Sequence, residues 1–202
     1  MIAIIDYGSG NIFSLQSSLK AIGQEVIVTR DLAEIQASDH IILPGVGAFE
    51  DAAQKLHKVG LFERIREEAR AKKPILGICL GMQLLFDQST EYGLHQGLGL
   101  IHGEVRGIED IIPKDLDIPH MGWNRLIYRN PSPLFQGIPE GSFVYFVHSY
   151  AAFDCEKDLI AQAEYGCPLT AAVQHDNVCG TQFHPEKSGP VGLKILQNFC
   201  AM

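Results

Sequence analysis

Through the first half of this 202-residue chain, short and almost wholly apolar runs alternate with amphipathic stretches, and no other feature narrows its fold so far. Ile2–Ile5 reads as a strand. Residues 11–22 follow, with Ile12, Leu15, Leu19 and Ile22 at helical spacing and Gly23 as a stop. Residues 25–29 (EVIVT) are rich in β-branched side chains, which suit a pleated surface. His40–Leu43 is the next apolar run, and Pro44-Gly45 ends it. Residues 48–58 and 61–72 read as helices with charged outer faces, residues 74–79 (PILGIC) as a buried strand, and residues 80–87 as a further helix. Strands that are apolar throughout and separated by helices belong to a parallel sheet covered on both faces.

Beyond residue 100 the pattern changes. Residues 103–109, 120–128, 142–150, 159–165, 169–175 and 178–183 all read as strands, and Asp176-Asn177 separates two of them by a hairpin-length turn. Residues 188–200 read as a helix, with Val191, Ile195 and Phe199 four apart. No linker or repeat interrupts the chain. At about 150 residues per domain, the length fits one domain spanning 1–202. The expected class is α/β: a mostly parallel central sheet flanked by helices, with an additional antiparallel β region.

Charge and composition remove several functions. Lys and Arg number 16 against 24 Asp and Glu, a net charge of −8. Such a surface repels phosphate backbones, so nucleic acid is not an expected partner. The densest basic stretch, 64–73, has Glu63, Glu67 and Glu68 in or beside it and reads as a solvated helix face. The uncharged run 74–86 is too short to cross a bilayer, so no membrane partner is expected. The N-terminal MIAIIDYG lacks the basic region and cleavage site of a leader and reads as a strand. Five cysteines, odd in number and without a CxxC pair, point to a reducing compartment, and a cytoplasmic location is expected.

The strongest local signal is Gly77-Ile78-Cys79-Leu80-Gly81. It follows an apolar strand and opens a helix, the setting of a nucleophile elbow with cysteine in place of serine. A Cβ at either glycine would clash in so sharp a bend. The turn presents the sulfur at the carboxyl end of the sheet, where clefts form in α/β proteins, and at a helix N-terminus, which favours thiolate. By itself the pentad also suits a core cysteine beside packing glycines. A nucleophilic cysteine needs a base, and the base needs a group to orient it. His184-Pro185-Glu186 supplies both, again just past a strand. The Glu186 carboxylate can fix the imidazole tautomer and stabilise imidazolium. Alone, these three residues also suit a surface turn; elbow and HPE together favour a catalytic pair. The N–H of Leu80, directly after the nucleophile, is one oxyanion donor. Pro44-Gly45-Val46-Gly47, after the strand IIL, is a second source or an ordinary strand-to-helix turn.

Other motifs do not hold. Gly8-Ser9-Gly10 follows a strand, but Phe13 stands where a dinucleotide fingerprint needs glycine. No Walker A sequence occurs, and no cofactor is expected. Among the other histidines only His120 and His148 lie in strand regions that could touch the cleft, and none has the spacing of a metal site.

GICLGMQ (77–83) together with HPE (184–186) resembles the class I, triad-type glutamine amidotransferase family. DYGSGN (6–11), PGVG (44–47), PHMGWN (119–124) and HPEKS (184–188) narrow the resemblance to the glutaminase subunits of imidazole glycerol phosphate synthases, over essentially the whole chain. The resemblance implies a class I amidotransferase fold and hydrolysis of the glutamine side-chain amide to glutamate and ammonia. Cys79 would attack, His184 would carry the proton, Glu186 would orient His184, and a glutamyl thioester would form. Gln83, Glu91, Ser149 and Tyr150 match positions that hold glutamine; Gly47 and Leu80 match the oxyanion-hole region. Asn11, Trp123 and Lys187 match positions facing a partner. That partner is a (β/α)₈-barrel cyclase subunit, forming a heterodimer. It would use the ammonia to make imidazole glycerol phosphate and aminoimidazole carboxamide ribotide in histidine biosynthesis.

The residues themselves point the same way, since a glutaminase without a nucleotide loop must hand its ammonia to another subunit. Unregulated, it would also squander glutamine, so low activity is expected until a partner rearranges the oxyanion strand; Gly45 and Gly47 make such a flip feasible. The alternative within the family is a paralogous glutaminase subunit feeding a different synthase, such as one amidating a surface sugar. A non-catalytic docking subunit would leave the intact triad unexplained, and a cysteine peptidase would leave DYGSGN and PHMGWN unexplained.

Overall fold

The computed structural model describes all 202 residues. Its centre is an eight-stranded sheet. β1 (Ile2–Ile5), β2 (Val26–Thr29), β3 (His40–Leu43), β4 (Ile75–Ile78) and β14 (Val178–Thr181) run parallel. β13 (Pro168–His175), β12 (Leu159–Glu164) and β9 (Ile127–Tyr128) extend the sheet antiparallel, giving the order β2-β1-β3-β4-β14-β13-β12-β9. The turn between β13 and β14 sits at Asp176-Asn177 as expected, with Asp176 at φ +50.

The apolar strands are buried on both faces. Along β1, Ile5 joins a core with α3 (Phe49–Lys58), α4 (Leu61–Arg70) and α5 (Leu80–Gln83), while Ile2 and Ile4 join one with α1 (Ile12–Ala21) and α6 (Gly189–Cys200). This is the period-two alternation of a strand between two helical layers. Phe49, Leu56, Leu61 and Ile65 fill the first face, and Leu15, Leu19, Ile195 and Phe199 the second, all at most 1% exposed. Each such side chain contributes about 1.5–3 kcal/mol by leaving water. No helix is long and apolar enough to cross a membrane.

Four sequence expectations needed correction. The helix expected over 80–87 stops at Gln83, and the chain continues as β5 (Phe86–Ser89). Leu84, Leu85 and Phe86 are all fully buried, and a run apolar on every side gives no helical stripe to read. β5 heads a small sheet ordered β11-β7-β5-β6, with β6 (His95–Gln96), β7 (Ile101–Gly107) and β11 (Tyr150–Phe153). The strand expected over 120–128 splits at Leu126 into β8 (His120–Arg125) and β9, which join different sheets. The strand expected over 142–150 splits at Ser149 into β10 (Phe143–His148) and β11 for the same reason. Finally, α2 (Leu32–Ala37) was not anticipated. Its signal was Asp31, whose Oδ1 accepts from the N–H groups of Ala33 and Glu34 at 2.8 and 3.1 Å as an N-cap.

Candidate active site

β4 ends at Ile78, and α5 opens at Leu80. Between them Cys79 takes φ +55 and ψ −113, a conformation that non-glycine residues adopt only under constraint. The constraint comes from the glycines. A Cβ on Gly77 would lie 2.6 Å from the carbonyl oxygen of Gly81, and one on Gly81 would lie 1.8 Å from that of Leu43. The bend therefore packs against β3 as closely as backbone allows. The helix after it is one turn long rather than two, so any dipole effect on the sulfur comes from that turn alone.

β14 runs beside β4, with Gly180 opposite Gly77 and Thr181 opposite Ile78, so residues just past both strand ends meet. His184 follows β14, and its N–H donates to the Tyr145 carbonyl at 2.9 Å. Its Nδ1 lies 2.8 Å from Glu186 Oε1, and both side chains are 3% exposed. With Nδ1 so held, Nε2 is the ring nitrogen left for Cys79, and it is buried with no hydrogen-bond partner in this resting state. Burial pulls the imidazole pKa down. The charges of Cys79 and Glu186 and the Glu186 hydrogen bond outweigh it and hold the value up at about 9. The site thus favours imidazolium at His184.

Cys79 and His184 open onto one cavity of about 570 Å³, which Val46, Gly47, Leu80, Gln83, Glu91, Ser149 and Tyr150 also line. All four expected glutamine-holding residues and both expected oxyanion residues therefore line the cavity onto which the sulfur opens. Gln83 is constrained further. Its Nε2 donates to the Tyr150 carbonyl at 3.1 Å and to Gln182 Oε1 at 3.0 Å, so both N–H groups are engaged and only Oε1 is available to a ligand. Glu91 Oε2 accepts from the Phe49 N–H at 2.7 Å and so caps α3, whose N-cap residue, Ala48, has no side-chain acceptor. Burial raises the Glu91 pKa. At the expected oxyanion loop, Gly47 has φ +99 and its N–H has no partner, while Ser9 Oγ donates to the Val46 carbonyl at 2.5 Å and accepts from its N–H at 3.2 Å. The peptide groups on both sides of Val46 are thus held toward Ser9.

The three expected partner positions lie outside the cavity. Trp123 is 56% exposed and meets Tyr145 edge-on, with ring centroids 6.1 Å apart; exposed Lys187 sits 5.8 Å above the same tyrosine ring. Asn11 is half-buried at the start of α1.

One feature escaped the sequence, and another was read only in part. Gln182 is fully buried and its Nε2 lies 3.8 Å from Cys79 Sγ. The readable signal was its place two residues before His184, on the same side of an extended segment. The feature read in part is the histidine pair expected to reach the cleft. His148 lines the cavity, but His120 lies behind it, stacked between Phe146 and Tyr165. His148 Nδ1 donates to the Tyr150 carbonyl at 2.8 Å, and its Nε2 accepts from His120 Nδ1 at 3.0 Å. Burial holds the two imidazoles down, to about 3 for His148 and about 4 for His120, so both are neutral.

Known proteins place this arrangement. The family described as glutamine amidotransferase class-I matches residues 3–202. The chain belongs to that family. The amidotransferase is 51% identical over 201 residues to the imidazole glycerol phosphate synthase subunit HisH of Sulfurimonas denitrificans, covering 98% of this chain and 97% of the relative. It is 50% identical to the subunit of the same name from Oceanobacillus iheyensis, covering 98% of each. Among solved structures, one titled glutamine amidotransferase superposes with a TM-score of 0.76 at 16% identity, covering 99% of this chain and all of the other. PurLQS from Thermotoga maritima superposes with a TM-score of 0.73 at 20% identity, over 99% and 97% of the two chains. These likenesses share the fold: a mostly parallel sheet, flanking helices and small added sheets.

Proposed function

We propose that this amidotransferase hydrolyses the side-chain amide of glutamine and delivers the ammonia to a cyclase subunit docked on its β8–β10 face. Together they form an imidazole glycerol phosphate synthase serving histidine biosynthesis. The observation that carries the proposal is the strained Cys79 opening onto the same cavity as the Glu186-held His184.

The chemistry follows from the atoms. The sulfur adds to the amide carbon, and the negative oxygen is received by the Leu80 and Gly47 N–H groups. His184 passes a proton from Nε2 to the departing nitrogen, which leaves as ammonia, and the glutamyl group remains on sulfur as a thioester. The now neutral Nε2 takes a proton from water, whose oxygen attacks the thioester and releases glutamate. Glu186 keeps the other ring nitrogen occupied throughout. Oε1 of Gln83, Glu91, Ser149 and Tyr150 hold the substrate.

The partner reading rests on the outer face of β8 and β10. There Met121, Trp123 and Phe143 are 65%, 56% and 55% exposed, three large apolar side chains on one face of the pair. Val147 of β10 lines the cavity, and its carbonyl lies 4.0 Å from Cys79 Sγ. A protein seated on this sheet is one strand from the nucleophile and takes up ammonia where it forms. The barrel fold of that partner is the remaining part of the proposal.

The test is glutamine hydrolysis by the wild type, Cys79→Ala and His184→Ala chains, alone and with the cyclase subunit and its nucleotide ligand. In the assembled enzyme, either substitution is expected to lower kcat by about a thousandfold or more, because the residues act as a unit. Wild type no faster than Cys79→Ala would refute the proposal. Complementation of a histidine auxotroph separates this acceptor pathway from a paralogous one.

A further inference from the structure

We propose that Gln182 is a further catalytic residue: its amide N–H donates to Cys79 Sγ and stabilises the sulfur as thiolate. This deepens the reading of Cys79 as the nucleophile and rests on it. Gln182 is fully buried at the end of β14, and an amide is not placed in a core without partners for both ends. Its Nε2 lies 3.8 Å from the sulfur and its Oε1 lies 3.0 Å from Gln83 Nε2.

Which end of the amide faces the sulfur is settled by the network. The Tyr150 carbonyl can only accept, and it draws donors from Gln83 Nε2 at 3.1 Å and His148 Nδ1 at 2.8 Å. Gln83 must therefore point its nitrogen at Tyr150. Its second N–H then points at Gln182, which must answer with oxygen. The Gln182 nitrogen is left for the sulfur. Reversal of Gln182 would set two nitrogens against each other and leave its oxygen facing a sulfur anion. The donor is thus fixed before substrate arrives, and preorganised donors need no reorientation when charge develops. Protonated sulfur has a different neighbour, the Val147 carbonyl at 4.0 Å, which can only accept. The two surroundings suit the two states of the thiol, and Gln182 serves the charged one.

The other titratable groups facing the sulfur are His184, from the segment after β14, and Tyr7, from the end of β1. His148 from β10 and Glu91 from beyond β5 line the cavity farther round, and Glu186 stands behind His184. None of these groups hydrogen-bonds Gln182, whose side-chain hydrogen bonds go only to Gln83 and Cys79.

The experiment follows the rate of iodoacetamide alkylation of Cys79 against pH in the full chain, read on the Cys79 peptide by mass spectrometry. Glutamine kinetics are measured alongside in the assembled enzyme. Gln182→Met keeps the volume and removes the donor. Gln182→Glu keeps the shape and the oxygen that Gln83 needs, and sets a carboxylate against the sulfur. A hydrogen bond to a charged group is worth about tenfold or more, so the alkylation midpoint is expected to move up by about one pH unit in Gln182→Met. It is expected to move further in Gln182→Glu. In Gln182→Glu, which keeps the oxygen that Gln83 needs, kcat for glutamine is expected to fall while KM stays within about twofold, since only a charged sulfur gains from the donor. An unmoved alkylation midpoint in either folded variant overturns the proposal. So does a raised KM with kcat unchanged, which would mean that Gln182 serves only to place Gln83. A Cys79→Ala chain that still hydrolyses glutamine overturns the nucleophile reading itself, and is recognised by that result alone.

Discussion

At the scale of single residues, the chemistry depends on one imidazole held in an unusual state. His184 has a folded pKa of about 9 against an ordinary 6.5, despite the opposing effect of burial. A group whose pKa rises on folding adds stability that is complete below the unfolded value. That stability is lost as pH climbs through the folded value. Replacing Glu186 by Gln removes one of the raising interactions. The stability gap between wild type and Glu186→Gln is therefore expected to be largest near pH 6 and to close toward pH 9. Denaturant unfolding across that range measures it; a gap that widens with pH would contradict the assignment. The proposed triad could be picked out in the sequence because its members stand beside backbone signals: glycines around Cys79, a proline between His184 and Glu186. Gln182 had no such neighbour, and its role depends on which end of an amide faces which atom, a matter only the folded network decides.

At the scale of elements, the elbow is where sequence and packing agree most closely. Gly81 is required by contact rather than by its own dihedral angles, since a Cβ there would lie 1.8 Å from the Leu43 carbonyl oxygen. Gly81→Ala is expected to destabilise the chain by about 3 kcal/mol or more, because backbone on both sides must part. Thermal unfolding tests this, and a loss below about 1 kcal/mol would show the β3–α5 contact to be loose. The parallel strands were readable because burial on both faces leaves them apolar throughout. The small sheet around β5, β6 and β11 was not, for two physical reasons. Leu84, Leu85 and Phe86 are buried on every side and carry no period. The breaks at Leu126 and Ser149 lie inside runs of good strand formers, where only a change of partner strand ends the element.

For the molecule as a whole, the unmatched feature is the apolar outer face of β8 and β10. Trp123 stands in it against Tyr145, which Lys187 covers on the segment that carries His184. Aromatic anchors of this kind dominate interfaces, so Trp123→Ala is expected to weaken cyclase binding by about thirtyfold. It should leave the free chain's unfolding temperature nearly unchanged. Titration calorimetry reads the first and thermal melting the second; unaltered affinity would move the docking site elsewhere. The class of fold and the three residues proposed as catalytic were legible before any coordinates, whereas the nearness of the β8–β10 sheet to Cys79 was not, because it joins residues distant in sequence. The most direct measurement is covalent capture of the assembled enzyme by an electrophilic glutamine analogue, with the adduct located by mass spectrometry. One adduct, on Cys79, formed in step with the loss of glutamine hydrolysis and slowed about a hundredfold or more by His184→Ala, is the expected result. Inactivation with Cys79 unmodified, in a chain whose Cys79→Ala variant still releases ammonia from glutamine, would contradict it.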